Sequence, residues 1–277
     1  MAQHPQIIQT TPEARLFAFP PSSVPKTILP PFQESSLMHP FNIPQNIFDA
    51  ALDPRTPATL AITYAITVKL LSKYNKSTGK KPWAISKTRP FFAFVVLHNI
   101  FLAVYSAWTC VGMFQAMKAS VLSPSGPAGL AGTADSLCHL HGRPGLGNSA
   151  YYNETATSWV SASPDAGIVN GAPSASAGRI WSEGLGYYGW IFYMSKFYEV
   201  LDTFIILAKG KPSSLLQTYH HAGAMLCMWA GIRYMSAPIW LFVQFNSFIH
   251  ALMVSNPISQ QQNYPQFMFL KANAQSL

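Results

Sequence analysis

Charged side chains are scarce in this chain. Asp, Glu, Lys and Arg account for only 10% of its 277 residues, whereas soluble domains carry about 25%. Hydrophobic residues account for 49% and aromatic residues for 13%. The net charge of +8 does not indicate a nucleic-acid-binding protein, because the basic residues lie in short loops beside apolar runs, as in the cytosolic loops of membrane proteins. The composition therefore predicts a membrane protein.

Cysteine is also rare. The three cysteines, Cys110, Cys138 and Cys227, are too few and too far apart for a disulfide framework or a zinc site. We therefore predict no metal and no bound cofactor. The segment 1–50 contains many prolines and no continuous apolar run, so we expect no cleavable signal peptide.

Five apolar runs are candidate membrane spans, at residues 58–71, 91–117, 185–208, 215–235 and 239–254. They predict an all-α polytopic membrane protein with about five transmembrane helices. Its segments would be a proline-rich tail (1–56), the first two spans (57–117), a low-complexity linker (118–184), three spans with polar motifs (185–254) and a divergent polar tail (255–277). In the first tail, Phe41, Ile43 and Ile47 are expected at a membrane surface.

The linker is rich in Gly, Ser, Ala and Pro and has neither helical nor strand periodicity, which predicts a disordered insertion. It contains only three basic residues, Lys118, Arg143 and Arg179. The loop between the first two runs contains six: Lys73, Lys76, Lys80, Lys81, Lys87 and Arg89. Because basic loops remain in the cytosol, we predict that this loop and the turn at 209–212 are cytosolic and that the linker is lumenal.

Two Asn-X-Ser/Thr sequons lie on opposite sides of the membrane in this topology. Asn75 belongs to the predicted cytosolic loop and Asn153 to the linker. Only Asn153 is therefore expected to be open to N-glycosylation.

The third apolar run carries unusual polar residues. Lys196, Glu199, Asp202 and Thr203 fall within an arc of about 120° if the run is one helix. Each ionisable group in hydrocarbon costs several kcal/mol unless it has a partner or faces a cavity. Lys196 and Glu199 alone would be explained by a structural ion pair, but the whole stripe indicates a functional site.

The next two runs carry polar faces at a similar depth. Gln217, His220 and His221 share an arc of about 100° on the fourth run, and Asn246, His250 and Met253 share a face of the fifth. Singly, His250 would be a packing residue and Gln217 an interhelical hydrogen bonder. Together with the third run, these residues predict one hydrated cavity among three helices.

Three motifs carry a resemblance to a known family. Lys196-Phe-Tyr-Glu-Val-Leu-Asp-Thr203, Gln217-Thr-Tyr-His-His221 and Asn246-Ser-Phe-Ile-His-Ala-Leu-Met253 resemble the KxxExxDT, HxxHH and NxxxHxxM segments of the ELO family of very-long-chain fatty acid elongases, in a fungal-like form. Gln217 replaces the first histidine of that family's histidine box. The resemblance covers residues 54–254 apart from the linker, and His98-Asn99 resembles the family's HN element.

The resemblance implies an acyltransferase, a 3-ketoacyl-CoA synthase of the endoplasmic reticulum membrane. Its substrates would be a fatty acyl-CoA and malonyl-CoA, and its products a 3-ketoacyl-CoA, CO2 and CoA. The family fold implied is seven transmembrane helices, six of them around an acyl-chain tunnel. The resemblance leaves open whether the chain forms a homo-oligomer and whether it associates with other enzymes of the elongation cycle. Nucleic acid is not expected as a partner.

The resemblance also implies roles for the polar residues. By resemblance, His220 would accept the acyl group as an acyl-imidazole. No cysteine lies at the polar site, so an imidazole is the available nucleophile. His221 and His250, with Asn246, would orient the malonyl group and stabilise its enolate.

The other polar residues would support this chemistry. Lys196, Glu199 and Asp202 would order the site as a charge-paired network. Gln217, which cannot be protonated, would position substrate together with Thr203. Lys209 and Lys211 would meet CoA phosphates at the cytosolic mouth.

Two other interpretations remain open at this stage. A di-iron desaturase or hydroxylase also uses histidine boxes, but it needs about eight ligands, and only four histidines lie in the apolar runs: His98, His220, His221 and His250. A non-catalytic, truncated elongase-like protein is the second. After Met253 the chain lacks the family's aromatic run, Pro257 blocks helical continuation, and no later run has span length. We therefore expect a divergent or truncated C-terminus.

Overall fold

The computed structural model describes residues 26–142, 145–161, 168–169, 172–173 and 176–255. The divergent C-terminal tail and the start of the N-terminal tail lie outside the described residues. The described part is mostly helical, as predicted. Its α-helices are α1 (Gln45–Leu52), α2 (Arg55–Ser77), α3 (Arg89–Ser120), α4 (Gly129–Cys138), α5 (Gly186–Tyr198), α6 (Val200–Ala208), α7 (Leu215–Arg233) and α8 (Ile239–Ser255).

The helix starts follow local chemistry. The Thr88 side chain accepts a hydrogen bond from the Phe91 amide, and Pro90 occupies the first turn of α3. The Ser214 side chain caps α7 by accepting a hydrogen bond from the Gln217 amide at 3.1 Å. The apolar runs at 91–117, 215–235 and 239–254 thus become α3, α7 and α8 with small shifts at their ends.

The first and third runs differ from their predicted extents. α2 continues to Ser77, well past the predicted end at residue 71, with lysines on its exposed surface. The third run is two helices, because α5 ends at Tyr198 and α6 begins at Val200. The Asp202 amide donates to the Glu199 carbonyl at 3.1 Å, a tighter turn than the α-helical one. The prediction of one continuous helix there is therefore wrong.

The segment before α2 is not an unstructured tail along its whole length. Phe48, Ala51 and Leu52 of α1 are buried in the main hydrophobic core. The Tyr193 hydroxyl donates to the Ala51 carbonyl at 2.8 Å, and the Trp229 indole donates to the Leu52 carbonyl at 2.9 Å. These donors satisfy the backbone of α1 where its apolar side packs, so this part of the segment is ordered.

Ile43 was expected at a membrane surface but is 6% exposed and belongs to the same core. Phe41 and Ile47 are about half exposed. Side chains from later in the chain also hold the segment that precedes α1. The Trp181 indole donates a hydrogen bond to the Ile28 carbonyl at 2.9 Å, and the Tyr188 hydroxyl donates to the Met38 carbonyl at 2.9 Å.

The linker contains regular structure that its composition did not predict. It holds α4 and two antiparallel hairpins, β1 (Ala150–Asn153) with β2 (Ser158–Ser161) and β3 (Ile168–Val169) with β4 (Ala172–Pro173). Asp135 of α4 accepts hydrogen bonds from the Gly147 amide at 2.9 Å and from Arg179 at 2.8 Å. The contacts join residues 12 and 44 positions apart, separations that sequence periodicity does not detect.

The long helices pack in pairs, α3 along α8, α2 along α7, and α5 against α7. Gly112 of α3 allows a close approach, because a Cβ atom there would overlap the Tyr188 ring of α5. A second core lies between α2, α6 and α7 and is formed by Ala61, Tyr64, Val68, Leu207 and Met225.

The two ends of this helical assembly differ. The loop 78–88 and the turn after α6 pack together, since the Trp83 amide donates to the Ala208 carbonyl at 2.9 Å. The linker contacts the opposite ends of the helices, where the Trp240 indole at the start of α8 donates to the Leu137 carbonyl of α4 at 3.1 Å. The lysine-containing loops therefore share one end, and the linker caps the other.

Among the described residues, one helix is long and apolar enough to cross a membrane by itself, namely α3. α8 is apolar over Ile239–Leu252 but shorter. Much of the α3 surface is apolar and uncovered, with Leu97, Val104 and Phe114 all more than 60% exposed. The count of five spans stays a prediction.

Candidate functional site

A buried ion pair lies at the junction of α5 and α6. The Lys196 ammonium is 2.6 Å from Glu199 Oε1, and both residues are almost completely shielded from solvent. Ser195 donates a hydrogen bond to the same carboxylate oxygen at 3.0 Å. Because desolvating two charges costs several kcal/mol each, further polar contacts are needed to hold this pair.

α8 and α5 supply further contacts to this pair. Lys196 Nζ donates to Asn246 Oδ1 at 3.1 Å and lies 3.8 Å from the centre of the Phe192 ring, a cation–π contact. Glu199 Oε2 is buried and has no hydrogen-bond partner among the described residues. The His250 imidazole, half-buried on α8, lies within electrostatic range of Glu199 and Lys196. The Met253 side chain lies outside the described residues.

Asp202 pairs with a histidine of α3 rather than with Lys196. Its Oδ1 is 2.8 Å from His98 Nε2, and His98 Nδ1 is 3.1 Å from the Tyr198 hydroxyl. The His98 side chain is fully buried, whereas the Asp202 side chain is 31% exposed. The single charge-paired network expected for Lys196, Glu199 and Asp202 is thus two adjacent pairs, Lys196 with Glu199 and Asp202 with His98.

Thr203 joins three helices. Its Oγ1 lies 2.8 Å from the Tyr64 hydroxyl of α2 and accepts a hydrogen bond from Gln217 Nε2 of α7 at 3.3 Å. The Tyr64 ring also makes an edge contact with the His221 ring, with ring centres 6.2 Å apart. Gln217 therefore ties α7 to α6 as an interhelical hydrogen bonder. Its expected role in positioning substrate stays a prediction.

The two adjacent histidines of α7 lie in different environments. His221 is 8% exposed, whereas His220 is on the exposed side of the helix. Their ring centres are 5.5 Å apart. His220 and His250 are within electrostatic range of each other, and His221 is within range of Glu199 and Asp202. His221 and His250 thus lie near the same two carboxylates, Glu199 and Asp202, and His220 lies near both of these imidazoles.

Lys209 and Lys211 do not join this cluster. They are exposed in the turn between α6 and α7, which packs on the backbone of Lys80 and Lys81. Gly210 has a φ of 79°, and a Cβ atom at this position would overlap the Lys80 carbonyl. Partial burial and the neighbouring Lys211 charge lower the pKa of Lys209. Four lysines therefore concentrate positive charge on one surface at this end.

Several residues of the site carry no motif signal. Tyr64 and Tyr198 bind the predicted Thr203 and His98, and Ser195 and Phe192 contact the ion pair. His98 is indicated only by the two-residue HN element. Among the described residues, no group of three His, Cys, Asp or Glu side chains is placed to hold a metal ion.

Comparison with known proteins bears directly on this cluster. The model of the family described as "ELO: GNS1/SUR4 family" matches residues 50–255, which include every polar residue of the site. The chain belongs to the ELO family. This confirms the resemblance drawn from the motifs, and proteins of the ELO family are fatty acid elongases and membrane proteins.

Individual relatives match this ELO-family chain over short segments. Fatty acid elongase sre1 of Dictyostelium discoideum is 37% identical over 70 residues, 25% of this chain and 26% of the relative. Fatty acid elongase A of the same organism is 34% identical over 64 residues, 23% and 24% of the two chains. Fatty acid elongase 2 of Trypanosoma brucei brucei is 29% identical over 87 residues, which are 31% of this chain and 32% of the relative.

The chain thus spans about a quarter to a third of the length of these curated relatives. No solved structure matches it.

Proposed function

We propose that this ELO-family chain condenses a long-chain acyl-CoA with malonyl-CoA in the endoplasmic reticulum membrane. The products would be a 3-ketoacyl-CoA two carbons longer, CO2 and CoA. The observation that carries the proposal is an accessible imidazole, His220, beside a buried network of charges and imidazoles. α2, α3, α5 with α6, α7 and α8 would be its multiple membrane spans.

His220 is the better nucleophile of the adjacent pair. An imidazole that accepts an acyl group must be reached by the thioester, and His220 is exposed whereas His221 is buried. In the first half-reaction a His220 ring nitrogen attacks the thioester carbonyl, and the carbon–sulfur bond breaks. CoA leaves with the bonding electrons and takes up the proton that the ring gives up, which leaves an acyl-imidazole.

The second half-reaction needs stabilisation of an enolate. Malonyl-CoA loses CO2, and the electrons of the broken carbon–carbon bond form the enolate of acetyl-CoA, which attacks the acyl-imidazole carbonyl. The carbon–nitrogen bond then breaks, and the departing ring nitrogen takes up a proton from water, because CoA has carried away the original one. His250 and Asn246 on α8, with His221 on α7, would donate hydrogen bonds to the developing charge. Support for this role comes from their proximity to Glu199 and Lys196.

The buried pairs would hold these groups in position. Lys196 bridges Glu199 on its own helical segment and Asn246 on α8. Asp202 with His98, and Thr203 with Gln217, connect α6 to α3 and α7. A fixed arrangement of the catalytic groups lowers the reorganisation that the transition state would otherwise require.

The lysine surface at the turn after α6 would bind the CoA phosphates. Lys80, Lys81, Lys209 and Lys211 are all exposed there. Burial lowers the Lys209 pKa most, and repulsion from Lys211 lowers it further. An anion at this surface would relieve that repulsion. The pantetheine arm would then extend from these phosphates towards His220, about two helical turns along α7 from the turn.

The proposal is tested by malonyl-CoA-dependent elongation. Microsomes containing the chain should incorporate labelled malonyl carbon into long acyl-CoA, and His220→Ala should abolish incorporation while the protein remains in the membrane fraction. His139→Ala is a matched control, because His139 is an exposed histidine of the linker. Normal elongation by His220→Ala would show that the nucleophile is assigned wrongly.

A further inference from the structure

The two sequons of the chain occupy opposite ends of the helical assembly. Asn75 lies near the end of α2, beside the loop that leads into α3, and Asn153 ends strand β1 in the linker after α3. α3 has 32 residues, about 48 Å of helix at ~1.5 Å per residue. This length exceeds the ~30 Å hydrocarbon core of a bilayer, so a membrane crossed by α3 would separate the two sequons.

The Asn75 side chain is buried, and both of its polar atoms are hydrogen-bonded. It is 0% exposed, and its Nδ2 donates to the Leu207 carbonyl at 2.7 Å and to the Lys211 carbonyl at 3.2 Å. Its Oδ1 accepts a hydrogen bond from the Trp83 indole at 2.8 Å. A sugar on this nitrogen would remove at least one of these bonds and would have no space, so Asn75 serves as a structural clamp for the turn after α6.

Asn153 presents the opposite situation. Its Oδ1 accepts hydrogen bonds from the Thr155 amide at 3.0 Å and from the Ala156 amide at 3.1 Å. This Asx turn holds the carboxamide oxygen against the backbone and directs Nδ2 away from it. No described residue accepts a hydrogen bond from Nδ2.

The surroundings of Asn153 are open. The hairpin turn between β1 and β2 comprises residues 154–157, all of which are exposed. The hydroxyl-bearing Thr155 that completes the sequon is one of them. The same linker contains the Asp135–Arg179 ion pair and the helix α4.

We propose that Asn153 is an N-glycosylation site and that the structured linker is a glycosylated lumenal cap. The co-reactant is a lipid diphosphate-linked oligosaccharide. Asn153 Nδ2 forms a bond to C1 of the first sugar, the bond from C1 to the diphosphate oxygen breaks, and the lipid diphosphate leaves with the electron pair. Nδ2 loses one proton. The proposal requires the predicted membrane orientation but not the condensing chemistry.

The chain supplies its own matched control for the test. The full-length chain would be synthesised in vitro with rough microsomes and then treated with an endoglycosidase that removes N-glycans. The wild type and Asn75→Gln should each show one endoglycosidase-sensitive mass shift, and Asn153→Gln should show none. Thr155→Ala should lose the shift, and Thr155→Ser should keep it, because serine preserves the sequon.

Two outcomes would overturn the proposal. One is a wild-type chain that stays unmodified in microsomes that glycosylate a control glycoprotein. The other is a shift that persists in Asn153→Gln and disappears in Asn75→Gln, which would invert the orientation of the chain. Neither outcome depends on elongation activity, so failure of this proposal and failure of the proposed condensing activity are distinguishable.

Discussion

Lys196 and Glu199 form a buried ion pair, with 2.6 Å between Nζ and Oε1 and almost no exposed surface on either side chain. The pair lies where α5 ends and α6 begins, and Lys196 also reaches Asn246 on α8. One contact therefore links the break in the third apolar run to the helix that carries His250.

Removal of one partner of this pair should destabilise the fold strongly. Lys196→Met or Glu199→Gln should each lower the free energy of unfolding in detergent by about 3–5 kcal/mol, because each leaves an uncompensated buried charge. The double variant should lose much less than the sum of the two. Arg55→Ala, which breaks an exposed pair with Asp53, should change stability little. Additive losses at Lys196 and Glu199 would contradict the paired arrangement.

The His98–Asp202 contact should show a measurable coupling. His98→Phe and Asp202→Asn each remove one side of the 2.8 Å bond, and a double-mutant cycle on stability should give a coupling of about 0.5–3 kcal/mol. Pairing Asp202→Asn with Arg55→Ala gives the control cycle, with coupling near zero. A coupling free energy between His98 and Asp202 as small as that of the control cycle would show that Asp202 acts independently of His98.

Restoring a histidine at position 217 should have a modest effect. Gln217→His replaces a hydrogen-bond donor to Thr203 at a site that already has the imidazoles of His220 and His221. We expect the rate of elongation to change by less than about tenfold in either direction, which corresponds to ~1.4 kcal/mol. A gain of several hundredfold would identify Gln217 as a defect rather than an accepted variant.

The linker should lose stability in acid through Asp135. Burial alone would raise the pKa of its carboxyl, but hydrogen bonds from Arg179 and the Gly147 amide, together with His139, hold the pKa below its ordinary value. A lowered folded pKa means that the stabilisation is complete above the unfolded pKa of about 3.9. It is lost as the pH falls through the folded pKa.

Thermal unfolding of the wild type and Asp135→Asn in detergent measures this contribution. The variant should unfold several degrees lower at pH 7, and the gap should close as the pH falls below about 4. Protonation of His141 also destabilises the fold in acid, because burial and the charges of Arg179 and His139 lower its pKa. The wild type and Asp135→Asn both contain His141, so this effect does not change the difference between them. A gap that is the same at pH 7 and pH 3 would contradict the role assigned to the Asp135 charge.

Much of the helical framework follows from the sequence, because α3, α7 and α8 are uninterrupted apolar runs with a cap or a proline at their starts. The break at Glu199 does not, since Tyr198 and Val200 are both compatible with a helix. The order in the linker depends on Asp135 and Arg179, which are far apart in sequence. For this reason the small-residue composition of the linker predicted disorder where the structure has a helix and hairpins.

The site shows the same division. Motif spacing indicated Lys196, Glu199, Asp202, Gln217 and the histidines, because ionisable groups in apolar runs are conspicuous. It did not indicate Tyr64, whose hydroxyl meets Thr203 across two helices. Tyrosine is common in such helices, and only the packing of α2 on α6 shows its role.

The central claim is that this polar cluster carries out acyl transfer through His220, and trapping the acyl-enzyme tests it most directly. Purified protein would be incubated with acyl-CoA but without malonyl-CoA, quenched and digested, and its peptides analysed by mass spectrometry. We predict one acyl group on the peptide that contains His220, with release of one CoA per chain. Both should be absent in His220→Ala and present in His139→Ala. Acylation that persists in His220→Ala, or release of CoA without any acylated peptide, would contradict the account.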